Sequence, residues 1–434
     1  MDYLLLERIP MMSARILFAL STVLLSSITA ACSAPSVPAG PDSDGSSAGN
    51  GGEEGEGEGD GRSNTPASSE GRIDLGTVAA GSEVSFEVPA GTIGFTIVVD
   101  AQVGPDDFLG VEELRDPSRD AVVTDFRDAK DEAARVASGP SGAGVGALAV
   151  PIPGDRALAI KAGRWTTKLG GTTRVANAPK GTVSKWTGRV HGVVILQKSN
   201  DGAFHSGKID FDLYVPDGLE VSSGGKGGTA RTVDATTAAA DPAIKERIDR
   251  SFALYQSLYG IGRGDVRYHR VASSVKAIVG QSELDAANML ASAPQARPAA
   301  QIVFTNRLEP DGEGEGEISG VANCLPGAVG VPATKCSAVV VALRGSEAWE
   351  DAATIVHELG HFIGLEHTTE LGGGGDLLSD TPECTSTAKA DLTSCPDFDN
   401  LMFPTSSVSS SERAVKVSAT QRRIMQASPL YRSL

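Results

Sequence analysis

The sequence predicts a multidomain chain, an N-terminal antiparallel β-sandwich followed by an α/β (α+β) domain. Its 434 residues suffice for two or three domains at roughly 100 to 200 residues each. From Gly71 to about Leu219, short runs of alternating apolar and polar residues are separated by Gly, Pro and Asp, the period of half-buried strands. Beyond Asp241, helical stripes alternate with apolar strand runs. The 38 Lys+Arg against 55 Asp+Glu leave a net charge of −17, which argues against a polyanion such as nucleic acid as the main partner.

The chain opens on an export signature. Asp2 and Glu7 are out of place at the start of an export signal, whereas translation from Met11 or Met12 begins cleanly. Arg15 then precedes the apolar run Ile16 to Ile28, too short for a comfortable membrane span, and Thr29-Ala30-Ala31-Cys32 follows. Ala30-Ala31-Cys32 resembles a bacterial lipobox with Cys32 as the lipidated residue, although Thr29 stands where Leu is usual. Ordinary signal cleavage near Ala31 or Ala34 is the other reading. Ser33 after the cysteine suits an outer-membrane destination. Residues 1–32 are therefore expected to be a signal peptide and 33–70 a disordered tether, because the latter is Gly, Ser, Pro and acidic residues with nothing apolar to bury.

Residues 71–221 form the expected sandwich. Val84 to Val88, Thr92 to Val99, Leu148 to Ile152, Val190 to Gln197 and Lys208 to Val215 supply its strands. Gly76 to Phe86 and Ile209 to Val215 loosely resemble the bacterial pre-peptidase C-terminal domain, a β-sandwich module that accompanies secreted proteases. Residues 222–240, rich in Gly, Ser, Thr and Ala, read as a linker.

The second domain, 241–434, begins with a helix capped by Asp241, with Pro242 at its first position and Gly260 at its end. Ile244, Ile248, Phe252, Tyr255 and Leu258 form its buried stripe. Strands follow at Val266 to Val271, Gln301 to Thr305 and Ala338 to Leu343, with a helix at Ser282 to Leu290.

The chemistry concentrates after Ser346. Trp349, Ala352, Ala353, Val356 and Leu359 predict a buried helix face, and Glu347, Glu350 and Asp351 suit the positive end of that helix. His357 and His361 are one turn apart, so both rings point the same way and can share one Zn²⁺. Gly364 lies where the helix must stop for His367 to return as a third ligand. Three protein ligands leave a fourth position for water, and Glu358, beside the first ligand, can act as general base on that water. A bare His-Glu-x-x-His is weak evidence, but the added Gly and third His make coincidence improbable. His191, His205 and His269 have no ligand spacing and read as structural or solvent-facing.

His357 to His367 resembles the extended zinc motif of the metzincin endopeptidases, and Asn400-Leu401-Met402-Phe403-Pro404 fits their Met-turn. Ser379 to Cys384, Ser394-Cys395-Pro396 and Thr420 to Met425 are similar to the pappalysin branch. The resemblance implies a metzincin-like zinc protease domain, one catalytic Zn²⁺, Met402 beneath the site as an apolar floor, and a protein or peptide substrate. Pappalysins and astacins carry Tyr two residues after the Met, whereas this chain has Pro404, a form closer to matrixins. Cys324, Cys336, Cys384 and Cys395 permit three pairings, among which the sequence alone does not choose; the short-range option joins Cys324 with Cys336 and Cys384 with Cys395, and the resemblance supports the second pair. A four-cysteine zinc is the rival, without Cys-x-x-Cys spacing to support it. Gly372 to Gly375 with Asp376 and Asp380 could wrap a Ca²⁺, as in some relatives, or form a metal-free glycine loop. Asp311 to Glu317 reads as a solvated loop. The expected protein is a monomeric, exported, lipid-anchored zinc endopeptidase at the outer membrane or cell surface, or otherwise secreted. The alternative is a surface adhesion lipoprotein with a vestigial or structural zinc.

Overall fold

A computed structural model describes residues 68–69 and 71–434, apart from 105–106, 124–143, 153–159, 176–181, 223–228, 293–297, 311–317, 344–346, 371–374, 385–391 and 405–414. The signal segment with Cys32, the tether up to residue 67, Asp311 to Glu317, Ser346 and Gly372 to Gly374 lie outside the described residues. The fold is mixed and sheet-rich α/β. Strands β1 (Ser68–Ser69), β2 (Arg72–Ala79), β3 (Glu83–Val88), β4 (Thr92–Asp100), β5 (Asp107–Arg115), β6 (Ala121–Val123), β7 (Val145–Val150), β8 (Gly163–Arg174), β9 (Val183–Lys185) and β10 (Arg189–Lys198) come first. They form two antiparallel sheets, β1-β2-β10-β4-β7 and β3-β8-β5-β6, with β9 on β8. Phe86, Phe95, Ile97, Leu109, Trp165 and Val194 from both sheets share one core. Phe95 meets the rings of Phe86 and Trp165 edge-on at 5.8 and 5.1 Å, the arrangement aromatic quadrupoles prefer.

The central sheet uses β11 (Gly207–Pro216), β14 (Ile261–Val271), β16 (Ala300–Thr305), β18 (Gly320–Ala322) and β19 (Val339–Ala342), in the order β14-β11-β16-β19-β18. Four of them run parallel, and β18 is antiparallel to β19 at one edge. Smaller pairs are β12 (Leu219–Ser222) with β13 (Ala230–Val233) and β15 (Ala277–Val279) with β17 (Arg307–Glu309), and β20 (Arg432–Ser433) joins β11. The helices are α1 (Ala235–Ala238), α2 (Pro242–Tyr259), α3 (Gln281–Met289), α4 (Ala348–Phe362) and α5 (Ala419–Ala427). The Asp241 side chain accepts from Ala243 N and Ile244 N, and Gly260 ends α2 at φ 72°. Helices α2 and α4 pack on Phe211, Leu213, Ile302, Phe304, Val339 and Val341, whereas α3 packs on Tyr214, Val303 and Val340 of the opposite face. Both faces being covered, β16 and β19 are buried throughout.

Two expectations need correcting. The alternation of Lys208 to Val215 predicts a sandwich strand, but β11 lies inside the central sheet, parallel to β14 and β16. Its alternation gave no hint of that, because Asp210 and Asp212 look like a solvent face yet are buried. Arg267 and His269 cover Asp212, and Arg432 reaches Asp210. The chain thus enters the second unit between β10 and β11, so the 71–221 boundary falls too late. The expected linker 222–240 is also structured where described, as β13 and α1.

The two units are packed together. Val98, Val145 and Ala147, on the outward side of the first sheet, join Cys324, Ala328 and Cys336 in one buried cluster. A Cβ placed on Gly94 would stand 2.0 Å from the Ala427 carbonyl oxygen, so the strand touches the end of α5 backbone to backbone. Arg72 donates to Gly330 O at 3.0 Å, and Gln197 donates to Ser433 Oγ at 3.0 Å.

Candidate metal centre

Helix α4 delivers the first two histidines. Its continuous burial from Asp351 to Val356 seats it on the central sheet, which leaves His357 and His361 half-buried on the side away from that sheet. The helix stops as the spacing requires. Gly364 takes φ 106°, Gly364 N donates to His361 O at 2.8 Å and Leu365 N to Gly360 O at 2.9 Å, the paired bonds of a Schellman end. The chain then doubles back and His367 faces the other two.

His357 Nε2 lies 3.3 Å from His367 Nε2, and His361 Nε2 lies 3.1 Å from it. Nitrogens about 2.1 Å from one tetrahedral cation would stand roughly 3.4 Å apart, so the spacing fits a shared Zn²⁺. Each remaining ring nitrogen already has an acceptor. His357 Nδ1 donates to Leu401 O at 2.7 Å and His361 Nδ1 to Leu365 O at 2.6 Å, and a carbonyl can only accept. His367 Nδ1 faces Glu370 Oε1 at 3.0 Å. All three Nε2 lone pairs therefore point at one volume. Burial, reinforced by the neighbouring imidazoles, pushes His357 down to about 3 and His361 well below the usual range, so both rings are neutral ligands near pH 7. Among the described residues this is the one group of three or more potential ligands gathered closely enough to hold a metal ion.

Glu358, which follows His357 on α4, is buried at 6% exposure. Burial pushes its carboxyl up to about 8, opposed by a hydrogen bond from the backbone of Ala322 in β18. A Cβ on Gly320 would come within 2.6 Å of Glu358 Cγ and 2.7 Å of Thr354 Cγ2, so only glycine lets β18 lie this close to the helix. Met402 is fully buried, and a Cβ on Gly360 would meet its sulfur at 2.5 Å, which places it under the helix that carries the first two histidines. Thr368 N donates to Met402 O at 3.1 Å, and Thr368 and Thr369 hydroxyls both donate to buried Asp397 at 2.6 Å. These bonds tie the segment after His367 to the Met402 turn.

Cys324 is bonded to Cys336 and Cys384 to Cys395. The other histidines are engaged elsewhere: His191 with Asp74 and Asp100, His205 with Asp201, His269 with Asp212. The calcium reading gains no support. Asp376 Oδ1 accepts from Thr381 Oγ1 and Leu378 N, Asp380 accepts from Thr420 N, and no ligand set assembles around them among the described residues. Sequence reasoning missed Gly320, Glu370 and Asp397. Gly320 sits in a three-residue strand too short for periodicity to register, and the other two act through contacts that no helical spacing announces.

Residues 303–424 match the family model described as Pregnancy-associated plasma protein-A. No curated protein matches the chain. Among solved structures, an archaemetzincin from Methanopyrus kandleri is similar at 14% identity and a TM-score of 0.27, covering 51% of this chain and 95% of the archaemetzincin. At that TM-score the assignment rests on the matched segment, which holds the three converging histidines, Glu358 and Met402. Over residues 303–424 the chain is thus similar to the zinc metallopeptidases of the pappalysin family.

Proposed function

We propose that the protein is an exported, lipid-anchored endopeptidase in which Glu358 moves the proton of the attacking water. The observation that carries this reading is a buried carboxyl on α4 that follows the first of three convergent imidazoles. Burial raises its hold on a proton, which suits a group that must both take a proton and return it. Bound by His357, His361 and His367, a zinc ion would supply Lewis acidity and one open position. The protein's own residues do the rest. The Ala322 backbone holds the Glu358 carboxylate in place. Among the described residues, strand β18 is the terminal strand of its sheet, an edge along which an extended peptide can pair and bring a scissile bond to Glu358. Glu358 takes the water's proton and delivers it to the leaving amine. Pro404 stands where many relatives carry Tyr, so no phenol contributes there.

Export is supported by Arg15, the run Ile16 to Ile28 and Ala30-Ala31-Cys32, and by two disulfides that suit an oxidising compartment. We read the first two sheets as the predicted β-sandwich module. The test is digestion of a denatured protein by wild type and by Glu358→Ala, with zinc measured in both. The expected result is equal zinc and a loss of cleavage on the order of 10²- to 10⁴-fold. Equal cleavage would remove Glu358 from its role. A zinc-loaded wild type that cleaves nothing across a broad peptide library would favour a binding protein.

A further inference from the structure

We propose that Glu370 is the positioning residue of the third histidine and sets how tightly the site holds its metal, an inference that rests on the zinc reading above. The three rings are not held alike. His357 and His361 lean on the backbone carbonyls of Leu401 and Leu365, neutral acceptors fixed by the fold. His367 leans on a carboxylate, Glu370 Oε1, at 3.0 Å. A charge-assisted hydrogen bond is the stronger kind, and an anionic acceptor makes the far nitrogen a better donor to a cation.

Position explains why this ring needs a side-chain partner. His367 lies beyond the Schellman end of α4, outside the helical ladder that orients His357 and His361. Its chain is anchored just downstream by Thr368 N on Met402 O and by the Thr368 and Thr369 hydroxyls on Asp397. Those bonds fix the backbone but not the ring, and they place Glu370 three residues on, within reach of Nδ1. The two acidic side chains at the centre thus divide the work. Glu358 is 6% exposed and lies against β18, whereas the Glu370 side chain is 37% exposed and meets His367 at Nδ1. Because Glu370 is a rim residue, its replacement leaves no buried charge behind.

The full-length protein is stripped of metal, and zinc affinity is measured by competition with a chromogenic chelator for wild type, Glu370→Ala, Glu370→Gln and His367→Ala. Absorption spectra of the Co²⁺-loaded proteins are recorded alongside. Glu370→Ala is expected to bind zinc about 10- to 100-fold more weakly, with an altered Co²⁺ spectrum and an unchanged melting temperature in the metal-free state. Glu370→Gln, which keeps an acceptor but loses the charge, should fall between Ala and wild type. Zinc affinity within about twofold of wild type in Glu370→Ala, with an unchanged Co²⁺ spectrum, overturns the proposal while His367→Ala still shows the loss of a ligand. If His367→Ala binds zinc as wild type does, the three-histidine site itself fails, and Glu370 with it.

Discussion

Asp212 shows how one buried side chain carries information that its sequence context conceals. It is 1% exposed, accepting from Arg267 at 2.7 and 3.0 Å, from His269 at 2.8 Å and from Gln301 at 2.9 Å. Burial alone would raise its carboxyl, but the hydrogen bonds and charges of Arg267 and His269 outweigh that and hold it below its usual 3.8. The folded value being the lower one, ionised Asp212 adds stability that is complete above pH about 4 and fades as pH falls through the folded value. Asp212→Asn should therefore cost about 1.5–3 kcal/mol at pH 7, and the difference in melting temperature from wild type should shrink on acidification. A difference that stays constant from pH 7 to pH 3 would contradict this. The residues that make the metal centre were legible for the opposite reason: His357, His361, Gly364 and His367 act through offsets along one helix and its stop. Glu370 and Gly320 act through space, and nothing in their neighbourhood in sequence marks them.

Elements were legible where one face is buried and the caps are explicit. Helix α2 announces itself through Asp241, Pro242 and Gly260, and α4 through its stripe. What joins them was not visible. Asp351 suited the start of α4 as a charge, but its carboxylate is paired at 2.6 Å with Arg247, which is buried on α2. Strand β4 was found but its second contact surface was not. Ile97 and Val99 point into the core of the first two sheets, while Val98 packs on the Cys324–Cys336 segment. A strand covered on both faces loses the clean alternation that would reveal an outer side. The packing predicts that the two units melt as one. Calorimetry of wild type should give a single transition, and Val98→Asp, which buries an unpaired charge at the junction, should lower stability by roughly 2–4 kcal/mol. Two wild-type transitions, with the first unmoved by Val98→Asp, would contradict it.

For the whole molecule, local composition did not reveal which sheet β11 joins. Strand β11 precedes α2 in the chain but stands between β14 and β16 in space, so a boundary drawn from local composition cuts through the central sheet. The first sheet contacts the segment following β18, the strand that lies against Glu358. No described helix is long and apolar enough to cross a membrane. The central claim is that three histidines gather one zinc for peptide hydrolysis. It is tested most directly by adding zinc stepwise to the metal-free full-length protein while following cleavage of a denatured protein. The account predicts that cleavage rises to a plateau at one zinc per chain and fails to appear in His367→Ala. Full-rate cleavage by the metal-free protein, or an undiminished plateau in His367→Ala, would contradict it.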